Sequence, residues 1–228
     1  MQLQDRVIAI TGAFGALGSA VVRACLAEGA QVAAIDRAPA PRAPLEVAFM
    51  IGDADLSSAD GARDAVAGVV RKFGRLDGLV NIAGGFRWET VGEGSLDSWD
   101  AMYGLNLRTA VSACMAALPQ LPDGRGRIIN VGANGAVKAG AGMGAYAASK
   151  AGVAKLTEAL AEELKGRGIT VNAVLPSIID TPANRADMPK ADFDAWVSPQ
   201  QLGEVIVFLL SDKASAVTGA LLPVTGRV

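Results

Sequence analysis

The sequence predicts an α/β fold: one doubly wound parallel sheet of about seven strands, with helices on both faces, in a single domain. Three observations lead there. Short apolar runs alternate with longer stretches of helical spacing along all 228 residues, as right-handed βαβ crossovers require. Apolar residues make up 51% of the chain and aromatics only 5%. The core must therefore be mostly Ala, Val, Leu and Ile, which suits helices packed on a buried parallel sheet. No linker, repeat or low-complexity block divides the chain, and a single core of this size buries about 70–75% of the unfolded surface.

The elements follow in order. Residues 7–11 (VIAIT) read as a buried strand, and a glycine-rich turn follows. Residues 15–28 carry helical spacing at Leu17, Val21, Val22, Cys25 and Leu26, with Gly29 as the stop. Residues 31–36 form the second strand, 37–44, with three prolines, a loop, and 47–52 the third strand. Then come a helix over 57–73, a strand over 78–82, and a helix over 95–118 with a break near Gly104. Residues 119–126 turn into the fifth strand, 127–131, and a long helix over 145–165 stops at Gly166 and Gly168. The sixth strand covers 170–175 and the last 220–224; between them a helix over 199–210 starts on proline. Residues 177–198 show little periodicity and read as a long loop after a strand's carboxyl end, the position of a substrate lid.

Composition removes several function classes. With 21 Lys+Arg against 23 Asp+Glu, no basic excess exists to neutralise nucleic-acid phosphates. The chain has no His, so a His-based triad or a His metal site is impossible, and no metal is expected. Cys25 and Cys114 read as small buried apolar residues. The start of the chain has no apolar signal core, and no apolar run is long enough to span a bilayer. A cytoplasmic protein acting on a small molecule is expected, with neither nucleic acid nor membrane as a partner.

Two constellations carry chemistry. The first turn, Thr11-Gly12-Ala13-Phe14-Gly15-Ala16-Leu17-Gly18, follows a strand and opens a helix. Glycines there let backbone N–H groups approach a pyrophosphate at the helix N-terminus. Asp36 ends the next strand, where a carboxylate accepts both ribose hydroxyls and repels a 2′-phosphate. NAD(H) is therefore expected over NADP(H), with Arg37 the dissenting residue. The second constellation is Tyr146-Ala147-Ala148-Ser149-Lys150, in which the phenol and the ammonium share a helix face. A nearby ammonium lowers a phenol's pKa toward the range useful for acid–base catalysis.

Together, in this order, these motifs resemble the short-chain dehydrogenase/reductase family, built on a Rossmann-type sheet. The resemblance spans essentially the whole chain. It implies that Gly12, Phe14, Gly15, Leu17 and Gly18 hold the cofactor with Asp36 and Arg37, and that Asp55-Leu56 meets the adenine, with Asp53 a rival. It adds Asn81, Ala83 and Gly84 from Asn81-Ile82-Ala83-Gly84, and Pro176, Ile179 and Thr181 from Pro176-Ser177-Ile178-Ile179-Asp180-Thr181. It names Asn106, Tyr146 and Lys150 as catalytic. It also implies a homodimer or homotetramer through the helix starting at Ala145, rich in Ala147, Ala148, Ala151, Gly152 and Ala154, and the one containing 111–118.

One departure stands out. The family's catalytic Ser lies 13 residues before the Tyr, and here that position is Ala133. Losing such a donor costs a carbonyl reductase about 10²–10³ in rate, unless Asn134 or Ser149 substitutes. A branch lacking that Ser, dihydropteridine reductase, is similar in local strings: Val80–Phe86, Gly142–Tyr146, and the loop with Asp180-Thr181-Pro182, Asn184-Arg185, Met188-Pro189 and Ala191-Asp192-Phe193. This resemblance implies hydride transfer from NADH to a quinonoid dihydropterin, with Phe86, Trp88 or Trp196 stacking on the pterin beside Ala133 and Asn134. Two alternatives stand beside it: an NAD(H)-dependent carbonyl reductase or alcohol dehydrogenase on another small substrate, and a dinucleotide-binding protein without turnover.

Overall fold

The computed structural model describes residues 1–41 and 49–228. Seven strands pair in parallel in one sheet: β1 (Val7–Thr11), β2 (Gln31–Ile35), β3 (Phe49–Ile51), β4 (Gly78–Asn81), β5 (Arg127–Val131), β6 (Thr170–Pro176) and β7 (Leu221–Val224). Their order is β3-β2-β1-β4-β5-β6-β7. Chain direction across the sheet reverses between β1 and β4, so the loops leaving those strands part and open a crevice at their carboxyl ends.

The pleat explains the two-sided core. Ile8 and Ile10 of β1 face one layer, Val7 and Ala9 the other. On the first side α1 (Ala16–Ala27) and α7 (Pro199–Leu210) bury Val21, Val22, Cys25, Leu202, Ile206 and Leu209. On the second, α2 (Ala59–Phe73), α4 (Thr109–Ala117) and α5 (Gly144–Glu163) bury Val66, Val69, Cys114, Leu160 and Ala161. Helix starts obey local chemistry. Ser58 accepts from Gly61 N, and Ser198 with Gln201 closes a capping box over Pro199.

At the foot of the sheet the buried guanidinium groups of Arg6 and Arg127 converge on Asp212, while Asp77 accepts the Val7 N–H at 2.9 Å. Arg6 and Asp212 stand 206 positions apart in the chain.

Three elements differ from the sequence expectation. The helix over 95–118 is α3 (Leu96–Met102), a π-helical segment (Tyr103–Arg108) and α4, so the break at Gly104 widens the helix instead of ending it. The 177–198 segment, expected as a loop, contains α6 (Pro182–Asp187) and a 3-10 turn, Phe193–Ala195, and its ends pair through a bridge between Ile179 and Val197. The described part of the third strand is Phe49–Ile51; Val47 and Ala48, where the expected strand begins, lie outside the described residues, as does 42–44 of the proline loop. Among the described residues no helix is long and apolar enough to cross a membrane.

Candidate active site

The crevice is assembled from the ends of β1, β2, β4 and β5. Gly12 has φ +64°, and a Cβ there would stand 2.8 Å from the Ala83 nitrogen. A methyl on Gly18 would overlap the Gly12 carbonyl. Both positions therefore admit glycine alone. Gly15 is different: its nearest outside atom to an added Cβ is 3.5 Å away, and its surface is open. As the N-cap of α1 it has no side chain to cap the first-turn amides. Those N–H groups and the helix dipole make an anion cradle.

The turn is tied to its neighbours by two polar side chains. Thr11 Oγ1 accepts from Ile82 N at 3.1 Å and Ala83 N at 3.2 Å. Asp36 Oδ2 accepts from Phe14 N at 2.9 Å and Oδ1 from Ala38 N at 2.9 Å. A carboxylate accepts about four hydrogen bonds, so Asp36 retains capacity for a ligand's hydroxyls. Arg37 is exposed beside it. Asp55 is exposed too; bonds from Ser57 hold its carboxyl below the usual range, with smaller contributions from Arg37 and Arg108. Leu56 is buried behind it, and Asp53 takes φ 55°.

From Ala83 the path runs to the catalytic candidates. A Cβ on Gly84 would lie 2.5 Å from Asn106 Oδ1 and 3.4 Å from Lys150 Nζ. Asn106, in the π segment, accepts from Gly85 N at 2.9 Å and donates to Gly85 O at 3.1 Å and Ser149 Oγ at 2.9 Å. Ser149 Oγ donates in turn to Tyr146 O at 2.7 Å. Ser149 is thereby buried and fully engaged, so it offers no hydroxyl to a substrate. Lys150 Nζ donates to Val131 O at 2.7 Å, and burial pushes its pKa down to about 8. Burial pushes the Tyr146 phenol up. The expected lowering by Lys150 is not seen here; desolvation, which favours the neutral phenol, sets the direction.

Other expected residues sit apart from this path. Ala133 is buried in extended geometry, φ −158°, ψ 137°, as N-cap of a 3-10 turn, Asn134–Ala136. Asn134 is half-buried. The Phe86 ring meets the Tyr146 ring edge-on, centroids 4.9 Å apart. Trp88 is exposed on the same loop. Trp196 is only 6% exposed and packs on Phe193 at 4.9 Å. So buried, it has no open face for the stacking expected of it. Thr181 caps α6, accepting from Asn184 N at 3.2 Å, while Asn184 Nδ2 holds Ile179 O at 2.7 Å. Pro176 ends β6 in the interior. The side chains of Leu17 and Asn81 also turn inward. Leu17 joins the core, and Asn81 Nδ2 donates to Asn130 Oδ1 at 2.9 Å, whose own Nδ2 donates to Thr157 Oγ1 at 2.8 Å. Only their backbones can face a cofactor.

Thr11, Gly85 and Asn184 were not singled out from the sequence as site residues. Thr11 sits inside the glycine motif, but its double acceptance depends on the β4 loop coming alongside. Asn184 stands two residues after a Thr-Pro pair, a recognisable helix start.

The chain is similar to known proteins in sequence and in fold. A family model described as short chain dehydrogenase matches residues 6–192. The chain is 34% identical to the 3-oxoacyl-(acyl-carrier-protein) reductase FabG of Thermotoga maritima, over 99% of this chain and 98% of that protein. Among solved structures, a blue fluorescent protein from a metagenomic library in complex with NADPH superposes with a TM-score of 0.89 at 33% identity, covering 100% of this chain and 99% of the other. The 3-ketoacyl-(acyl-carrier-protein) reductase of Brucella melitensis complexed with NADH gives 0.87 at 28%, covering 99% of each chain.

Proposed function

Because this chain belongs to the short-chain dehydrogenase family and is an oxidoreductase of that type, we propose that it is an NADH-dependent reductase of a flat, electron-poor conjugated ring, of which a quinonoid dihydropterin is the first candidate. One observation carries this reading. Ala133 stands where a substrate-polarising hydroxyl is expected, and the nearby Ser149 hydroxyl is spent on Tyr146 O and Asn106. A ketone needs its carbonyl polarised as charge develops on oxygen. A quinonoid ring spreads that charge over its own conjugated atoms and needs less help.

The residues fit a nicotinamide dinucleotide. The open Gly15 and uncapped α1 amides would hold the pyrophosphate, with Gly12, Phe14, Leu17 and Gly18 shaping the turn. Asp36 would take the adenosine ribose, which favours NAD(H) over NADP(H); Arg37 and Asp55-Leu56 would flank the adenine side. Asn81, Ala83 and Gly84 would line the crevice floor, and Pro176, Ile179 and Thr181 the nicotinamide side. When bound, the cofactor supplies a hydride. Tyr146, kept protonated by burial, would deliver the proton to the acceptor. Lys150, already held at Val131 O, would steady the resulting phenolate and the ribose. Asn106 would fix Gly85 and the Tyr146 turn relative to each other. Phe86, Ala133 and Asn134 would border the substrate.

The test is NADH oxidation with quinonoid 6,7-dimethyl-dihydropterin against a no-enzyme blank. Turnover that falls by about 10²–10⁴ in Tyr146→Phe supports the reading; none above the blank, with NADH still bound, removes it. A second reading, a carbonyl reductase or alcohol dehydrogenase using Asn134 as donor, is favoured by the 3-oxoacyl reductase relative. The chain would assemble as a homodimer or homotetramer through α4 and α5, where Met115 is exposed. Within this part Gly152 is filled by its own Leu107. A monomer by light scattering would end that proposal. Cytoplasmic location fits a reductase fed by NADH, and cell fractionation tests it.

A further inference from the structure

Trp88 is 59% exposed, high for so large an apolar ring, and it is seated against backbone. Its indole lies against Gly142, so close that a Cβ there would overlap the ring. Gly142 also has φ +75°, so the backbone that carries the indole favours glycine twice over. The next residue is pinned to the same point: Glu89 N donates to Gly142 O at 2.8 Å. One face of the indole is thereby seated on the loop leading into α5, and much of the ring stays open. Two residues before it, Phe86 touches the edge of Tyr146; two residues after Gly142, α5 begins. The ring thus stands on the loops that flank the phenol.

An exposed aromatic held in one pose loses little conformational entropy when a ligand covers it. We infer that Trp88 is a specificity-determining residue, a preformed aromatic wall that selects planar conjugated acceptors over small flexible carbonyl compounds. This deepens the proposed function and takes its reacting centre from it.

The experiment uses the NAD⁺-loaded protein and redox-inert pterin as the probe. Trp88 is one of three tryptophans; Trp196 is buried in the lid and Trp99 lies near Gly144. Pterin is expected to quench indole emission in the wild type. The quench should be lost in Trp88→Leu, which keeps bulk without a π face, while 2,3-butanedione shows no Trp88-dependent change. In turnover, Trp88→Leu should raise KM for the quinonoid dihydropterin roughly tenfold, as loss of ring stacking does, with kcat held within about twofold, and Trp88→Phe should recover most of the loss. Absence of quenching in the wild type, or equal quenching and KM in wild type and Trp88→Leu, overturns the inference. Trp88-dependent quenching without dihydropterin turnover upholds the aromatic wall and removes the pterin activity alone. Turnover with no dependence on Trp88 does the reverse.

Discussion

Placing the expected hydroxyl back at position 133 is the most direct probe of the site's chemistry. Ala133→Ser adds one oxygen to a residue whose φ and ψ already lie in the extended region and which caps a short turn. Ser is among the preferred residues for that role, so the fold should be retained. The new oxygen enters at the end of β5, at a residue only 5% exposed. In such a water-poor place a donor acts at nearly full strength. If ketones are slow here because no donor meets the developing alkoxide, the variant should reduce 2,3-butanedione ~10²–10³ faster, about 2.7–4 kcal/mol of barrier. The quinonoid dihydropterin rate should change by less than about threefold, since that ring disperses its own charge. The assay is NADH oxidation with both acceptors, with thermal melting and NADH titration as folding controls. An unchanged butanedione rate in a folded, NADH-binding variant would refute the reasoning: Asn134 or another donor would already polarise the carbonyl, and the carbonyl reductase reading would replace the first.

Two other expectations concern stability. Lys150 is held at about 8 against its ordinary 10.5, so between those pH values the unfolded chain binds more protons than the folded one. Stability of the wild type relative to Lys150→Met should therefore rise across that window, by about 3 kcal/mol in all, and the burial penalty should be complete below it. Urea denaturation at several pH values reads the difference; a flat one refutes the assignment. Asn130→Ala leaves Asn81 Nδ2 and Thr157 Oγ1 without their shared partner, which should cost about 2–4 kcal/mol. A loss under about 1 kcal/mol would mean the buried amide chain is replaced by relaxation or water.

The sheet was legible because its signal is local. The run 7–11 is apolar on both faces up to Thr11, as a strand covered by two helical layers must be, and 127–131 keeps Ile128, Ile129 and Val131 around two polar residues. The cofactor turn was legible for a similar reason, since Gly12 and Gly18 answer to contacts within a few residues or with the adjoining strand. The lid helix was missed because six residues are too short for periodicity; only its Thr-Pro start betrays it. The π segment looks like an ordinary helix in composition, and what distinguishes it is the demand that Asn106 reach Gly85 and Ser149. The burial of Trp196 was not legible because it depends on Phe193 and on the chain near Gly226, which packs against Ala195 and Trp196. No spacing rule announces such contacts.

The joining of Arg6 to Asp212 has a consequence for synthesis. A ribosome releases β1 and its glycine turn long before some of their lasting neighbours emerge. Gly203 of α7 packs against Ala24 of α1, and the carboxylate that steadies the foot of β1 arrives 206 positions late. Until α7 appears, the side of α1 that α7 covers stays open, and the growing chain carries an exposed hydrophobic flank while the intervening elements are made. Contacts so distant in sequence slow folding and lengthen exposure to aggregation. The dinucleotide cradle, made early, thus becomes usable late, and nascent chains should depend on holding factors until α7 is out.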